Sequence, residues 1–80
     1  MIAILEGLLY VQGDLGLTIG QVTDILGIDN EEAKRLIYEL KQSYEEENRG
    51  LRLGFLGNTF KLTTKQEHKE YLTLLLALHL

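Results

Sequence analysis

The apolar residues of this chain switch from helical spacing to alternation at Asn48-Arg49-Gly50, and that switch separates three helices from the strands that follow. Before it the spacing is helical. Ile2, Leu5, Leu8, Leu9 and Val11 make a wide apolar face over 2–12, the i, i+3, i+4, i+7 recurrence of a helix packed on a core. Gly13-Asp14-Leu15-Gly16 stops that helix, because two glycines within four residues punctuate any helical run. Thr18-x-x-Gln21 then opens a second, shorter helix as a capping box, in which hydroxyl and amide satisfy backbone N–H groups reciprocally. Val22, Ile25 and Leu26 give its inward face, and Gly27 ends it where a left-handed residue is wanted. Asp29-x-x-Glu32 opens a third helix in the same way, expected over 29–48, with Ala33, Leu36, Ile37, Leu40 and Tyr44 as its stripe. A short helix, a tight turn at Gly27-Ile28 and a longer amphipathic helix make a helix-turn-helix.

After the change the period is 2. Leu51, Leu53 and Phe55 alternate with Arg52, Gly54 and Leu56, Gly57-Asn58 suits a two-residue turn, and Thr59 to Thr63 returns as a second strand. Pairing about that turn sets Leu56 opposite Thr59, Phe55 opposite Phe60 and Leu53 opposite Leu62. The apolar side chains then share one face, expected on the helices, while Arg52, Lys61 and Thr63 share the other. A slip of one residue would destroy the separation, so the register supports itself. Thr64-x-x-Glu67 reads as a third capping box. In the last helix only Thr73 and His79 are polar between Tyr71 and Leu80. A helix apolar nearly all round has to be covered on more than one side, either by a partner subunit or by a neighbouring domain. The expected fold is therefore α+β and mostly helical: a winged helix of helix, helix-turn-helix, two-stranded β wing and C-terminal helix, forming one domain over 1–80.

Such a fold is common among DNA readers, but the charge argues otherwise. The stretch 29–48, whose helix would enter a major groove, holds seven acids against three bases (Lys34, Arg35, Lys41), a net charge of −4. Duplex phosphate repels such a segment rather than steering it in. The four bases Arg49, Arg52, Lys61 and Lys65 fall in 49–65, where no acid occurs; they are the candidates for phosphate contact. The rival reading, a winged-helix DNA-binding transcription regulator, calls for bases where Glu31, Glu32 and Glu39 stand.

The rest of the composition excludes more than it assigns. There is no cysteine, hence no disulfide framework and no thiolate metal site. Gly13, Gly16 and Gly20 match neither common phosphate-loop spacing. His68 and His79 are eleven residues apart, roughly 16 Å along a helix at its usual rise, too far to share a metal. Ser43, the only serine, has no histidine near it in sequence. Nothing reads as an enzyme, and neither cofactor nor metal is expected. The first ten residues lack the basic start and cleavage site of a secretory signal. The apolar end is far shorter than the roughly 20 residues of a membrane span. A cytoplasmic protein with no membrane contact is expected.

The string Glu6-Gly7-Leu8-Leu9-Tyr10-Val11, Gly13-Asp14, Gly16-Leu17-Thr18 and Gln21-Val22 continues through Glu39-Leu40, Tyr44-Glu45 and Arg49-Gly50-Leu51 to Thr59-Phe60-Lys61-Leu62-Thr63-Thr64-Lys65. In this order and spacing it resembles the N-terminal winged-helix domain of segregation and condensation protein B. The resemblance implies an accessory subunit of the bacterial condensin complex, active in chromosome condensation and segregation. Such a subunit homodimerises and grips the kleisin (segregation and condensation protein A), through it reaching the structural-maintenance-of-chromosomes ATPase, with direct DNA contact weak or absent. In that family two winged-helix domains follow one another, so the chain is expected to be the N-terminal fragment of a longer two-domain protein. The expected dimer or partner interface comprises Leu72, Leu75, Leu76 and Leu78, with Leu5 and Leu9 of the first helix and Phe55, or its neighbour Leu56, at the wing tip.

Overall fold

The computed structural model describes residues 1–78. Helix α1 spans Ile2–Gln12 and runs into a 3-10 turn, Gly13–Leu15. A two-residue strand, β1 (Leu17–Thr18), leads directly into α2 (Ile19–Leu26). Helix α3 covers Asn30–Ser43, the hairpin strands are β2 (Leu51–Leu56) and β3 (Thr59–Thr64), and a 3-10 turn at Gln66–His68 precedes α4 (Lys69–Ala77). This is the winged-helix architecture, α+β and mostly helical.

The local signals at α2 act as their chemistry demands. Thr18 Oγ1 accepts from the Gln21 N–H at 3.1 Å while Gln21 Oε1 accepts from the Thr18 N–H at 2.9 Å, a complete capping box. Gly27 closes the helix in the left-handed region, at φ 67° and ψ 39°. Helix α3 has half such a box: Asp29 accepts from the Glu32 N–H at 2.8 Å, but the Glu32 carboxylate turns outward to Arg35.

Helix α3 ends sooner than its acids suggested. It stops at Ser43, and Tyr44 caps it, so Glu45, Glu46 and Glu47 lie in the turns that follow. The Ser43 hydroxyl donates back to the Leu40 carbonyl at 2.7 Å, competition that weakens a helical end. Three acids in a last turn would also oppose the helix dipole. The box expected at Thr64-x-x-Glu67 does not form: Thr64 is the last residue of β3, and neither the 3-10 turn nor α4 has a side-chain cap.

The hairpin register is the expected one, with Leu53 opposite Leu62, Phe55 opposite Phe60 and Leu56 opposite Thr59. Gly57 takes a positive φ of 60° and Asn58 does not, the II′ pattern suited to the strand twist. The sheet has a third strand that periodicity could not reveal. β1 pairs antiparallel with β3, Leu17 opposite Phe60, to give the order β1-β3-β2. Two residues are too few to show alternation. What makes the approach possible is Gly16, at φ 72°: a Cβ there would stand 2.8 Å from the Phe60 carbonyl oxygen.

One core unites these elements. Leu5 and Leu9 of α1 meet Val22 of α2, the stripe Ala33, Leu36, Ile37, Leu40 and Tyr44 along α3, Leu17 of β1, and Leu53 and Phe60 of the hairpin. Two expected inward positions are exposed instead, Val11 at 82% and Ile25 at 58%. Only the middle of the hairpin's apolar face is covered, since Leu51 and Phe55 remain open. At the far end, the buried Tyr44 donates its hydroxyl to Glu6, and the Arg49 guanidinium lies 4.8 Å over its ring, tying α1 to the chain after α3. Burial pushes the Tyr44 phenol up to about 12, and its hydrogen bond to Glu6 adds to that shift.

Helix α4 stands apart. None of its residues is buried, and its only substantial neighbour is the 3-10 turn that leads into it. The radius of gyration is 14.1 Å, with extents of 45 × 25 × 22 Å; a compact chain of this length would have a radius of about 12 Å.

Candidate interaction site

Three surfaces carry the side chains that sequence pointed to. The first is α4. The expected interface residues Leu75, Leu76 and Leu78 are more than half exposed and Leu72 is half-buried. The helix also presents two that were not foreseen, Tyr71 and Leu74. Tyr71, Leu74, Leu75 and Leu78 follow the i, i+3, i+4, i+7 spacing of a packing stripe. The signal was present in the sequence, but in a helix apolar on nearly every side it could not be told from its neighbours.

The second surface is the outer side of α1, and here the expectation fails. Leu5 and Leu9 are 0% and 1% exposed; they form the core under α3 and have no surface to offer a partner. The exposed apolar residues of this helix are Met1, Ile4, Tyr10 and Val11, with Leu15 just beyond it. The face that periodicity marked is the one packed on the core, through Ile2, Leu5, Leu8 and Leu9; what fails is the second use of Leu5 and Leu9 as interface.

The third surface is the face made by α3 and the hairpin. Within Asn30–Ser43 the acids Glu31, Glu32 and Glu39 are matched by Lys34, Arg35 and Lys41. The negative excess of 29–48 therefore belongs to the helix's flanks rather than to its surface. Every base on α3 has an acidic partner. Arg35 forks between Glu32 and Glu39, Lys41 lies 3.2 Å from Glu45, and Lys34 lies 4.0 Å from Glu31. The Arg35 hydrogen bond holds the Glu32 carboxyl below its ordinary range. A helix whose cations each face a nearby acid has little attraction for a phosphate backbone.

The candidate phosphate contacts are engaged with the protein itself. Lys65 is buried and donates to the Glu46 carbonyl at 2.7 Å, so its ammonium is withdrawn from solvent. Arg49 covers Tyr44 and lies 3.9 Å from Glu6. Arg52 is 3.8 Å from Glu45, and Lys61 is 3.8 Å from Asp14. A run of bases without acids in sequence becomes, once folded, a set of bases each facing an acid, a ring or a carbonyl. Phe55 is 54% exposed and stacks on Phe60 with ring centroids 6.0 Å apart; Leu56 beside it is open at 79%.

Among the described residues no group of three or more His, Cys, Asp or Glu side chains is placed to hold a metal ion, and no helix is long and apolar enough to cross a membrane. The separation expected between His68 and His79 lies outside the described residues, as do the last two positions of the apolar C-terminal run.

These surfaces can be set beside known proteins. Segregation and condensation protein B of Geobacillus thermodenitrificans is 44% identical over 70 residues, covering 88% of this chain and 34% of that protein. Its counterpart from Geobacillus kaustophilus is 46% identical over 70 residues, with 88% of this chain and 32% of that protein covered. The chain thus spans about a third of the length of these relatives. Among solved structures, a crystal structure of a dimer of the ScpB N-terminal domain complexed with an ScpA peptide superimposes with a TM-score of 0.89 at 44% identity. That match covers 92% of this chain and 91% of the other. The sequence model of the segregation and condensation complex subunit ScpB matches residues 3–78. With nearly its whole length inside that match, a shared fold and identities above 40%, the chain belongs to the family of the segregation and condensation complex subunit ScpB.

Proposed function

We propose that this domain is a non-enzymatic scaffold of the bacterial condensin complex, which homodimerises and holds a segment of the kleisin. Through the kleisin it reaches the structural-maintenance-of-chromosomes ATPase, and the domain is the first of two winged-helix units in a longer subunit. The observation that carries this reading is α4. Tyr71, Leu74, Leu75 and Leu78 expose an apolar stripe along a helix that has almost no packing within its own chain. Burying one such side chain is worth roughly 1.5–3 kcal/mol, and a second copy of the domain would supply the cover that its own described residues do not. The likeness to a domain solved as a dimer with an ScpA peptide supports both halves of the proposal. The paired charges of α3 and the engaged bases of the hairpin favour protein over duplex DNA as the partner.

Light scattering or sedimentation tests the dimer. A dimer whose dissociation is shifted strongly by Leu75→Asp is expected, and a monomer at every concentration would remove the reading of α4. Capture of a kleisin fragment tests the second half, and salt-sensitive nanomolar binding to duplex DNA would replace it with the regulator reading.

A further inference from the structure

Between α3 and the β2–β3 hairpin lies a cleft of about 280 Å³ that neither α4 nor the charge-paired outer side of α3 explains. Its floor is core: Ile37 and Phe60 reach it from below. Its walls are two aromatic rings that the fold leaves largely open, Tyr38 at 62% and Phe55 at 54% exposure. At its α3 edge stand Lys34 and Lys41, seven residues apart and so on one side of the helix, about 10 Å from each other along its axis. No acid lines it. In a chain of net charge −4, this is an apolar cleft bordered only by positive charge. The acids that pair with the two lysines, Glu31 and Glu45, lie outside the cleft; the Lys34–Glu31 pair is solvent-exposed and the Lys41–Glu45 pair partly so, and pairs open to water contribute little and exchange for another carboxylate.

The size and chemistry select an occupant. The volume falls just under the roughly 300–1,000 Å³ of clefts that enclose a small-molecule ligand, and suits one bulky side chain from a partner. A phosphate backbone would satisfy the lysines but gain nothing from the aromatic walls. A purely apolar helix would fill the walls but offer the lysines nothing beyond the acids they already meet at the surface. We propose that the cleft receives an extended acidic segment of a protein partner, with one Leu, Phe or Tyr seated between Tyr38 and Phe55 and a carboxylate on each side of it. With about 10 Å between the lysines and roughly 3.3 Å per residue of extended chain, those carboxylates are about three positions apart. The inference rests on the kleisin reading and deepens it, giving the partner segment a place and a pattern distinct from the α4 stripe.

Fluorescein-labelled 15-residue peptides tiling the kleisin, titrated into this chain by anisotropy, test it. The wild-type chain binds a peptide carrying the acid–apolar–acid pattern. Lys34→Glu with Lys41→Glu weakens that binding by about tenfold or more, as expected for reversed charge at an interface, and a peptide whose two acids are exchanged for lysine regains affinity for the double variant. Tyr38→Ala, a truncation on the surface, weakens the same peptide without altering its salt dependence. Should the double variant lose its helical circular dichroism, the exchanged-acid peptide against the wild-type chain makes the same measurement, with about a tenfold loss expected. Equal affinity for all variants and peptides would overturn the cleft as the site and leave the kleisin reading standing. Failure of every kleisin peptide to bind the wild-type chain would overturn both. Tight duplex binding abolished by the double variant would assign the cleft to nucleic acid instead.

Discussion

Helices α1 and α4 are both rich in leucine, and their leucines have opposite surroundings. In α1, Leu5 and Leu9 are closed off under α3, while in α4 Leu74, Leu75 and Leu76 are each more than half exposed. The difference lies in what each helix meets rather than in composition. Helix α1 is held against α3 and the sheet by the chain that returns over it, and Tyr44 fastens its flank through Glu6. Helix α4 follows the last strand and touches little but the turn that precedes it. A leucine stripe therefore states that a surface must be covered, and the fold decides whether the cover is internal or a second chain.

Four substitutions can break or sharpen this contrast. Leu9→Ala is expected to have the largest effect, since truncating a closed leucine costs about 2–5 kcal/mol. In a domain of this size that lowers the melting temperature by many degrees, and a change of a degree or two would mean α1 is not held as described. Next, Gly16→Ala forces a side chain into a positive-φ residue and toward the Phe60 carbonyl. A loss of about 1–3 kcal/mol is expected by denaturant titration, and no loss would show that β1 does not brace the packed half.

Tyr44→Phe comes third, at about 1 kcal/mol for the lost hydrogen bond, and it carries a pH signature. The phenol is raised from its ordinary 10 to about 12 in the fold, so the neutral form is favoured by folding. That contribution is complete below pH 10 and disappears as pH rises through about 12. Stability curves of the two proteins should run parallel at neutral pH and converge across that interval; curves that stay parallel would deny that the Tyr44 phenol is buried beside Glu6 as described. Smallest is Leu75→Asp measured on dilute monomer, within about 0.5 kcal/mol of wild type as for exposed positions generally, although the same change is expected to weaken the proposed dimer. A melting temperature lowered as far as by Leu9→Ala, independent of concentration, would place α4 in the core and erase the comparison.

Much of the fold was legible in the residues. The bounds of α1, the capping box of α2, the left-handed glycine that ends it, the stripe of α3 and the hairpin register each follow from local chemistry within a dozen residues. The misses have one cause, a dependence on distant chain. Strand β1 exists only because β3 lies beside Gly16. The box at Thr64 fails because β3 claims its first residue. The bases of 49–65 looked free because Glu6, Asp14 and Glu45, which meet three of them, come from earlier segments or across a loop. The tilt of acids over bases in 29–48 was correctly counted, yet it sits on the flanks of α3 and not on the helix itself.

Sequence alone determined which segments are helix and strand, in what order, and that more apolar surface is present than one small domain can hide. Those are matters of period, capping and turn chemistry, which act between near neighbours. Only the tertiary structure decided that Leu5 and Leu9 are closed to any partner, which leucines of α4 stay exposed, and that an apolar cleft opens beside Lys34 and Lys41. Burial and charge pairing depend on what the distant chain brings alongside, and no local pattern encodes that.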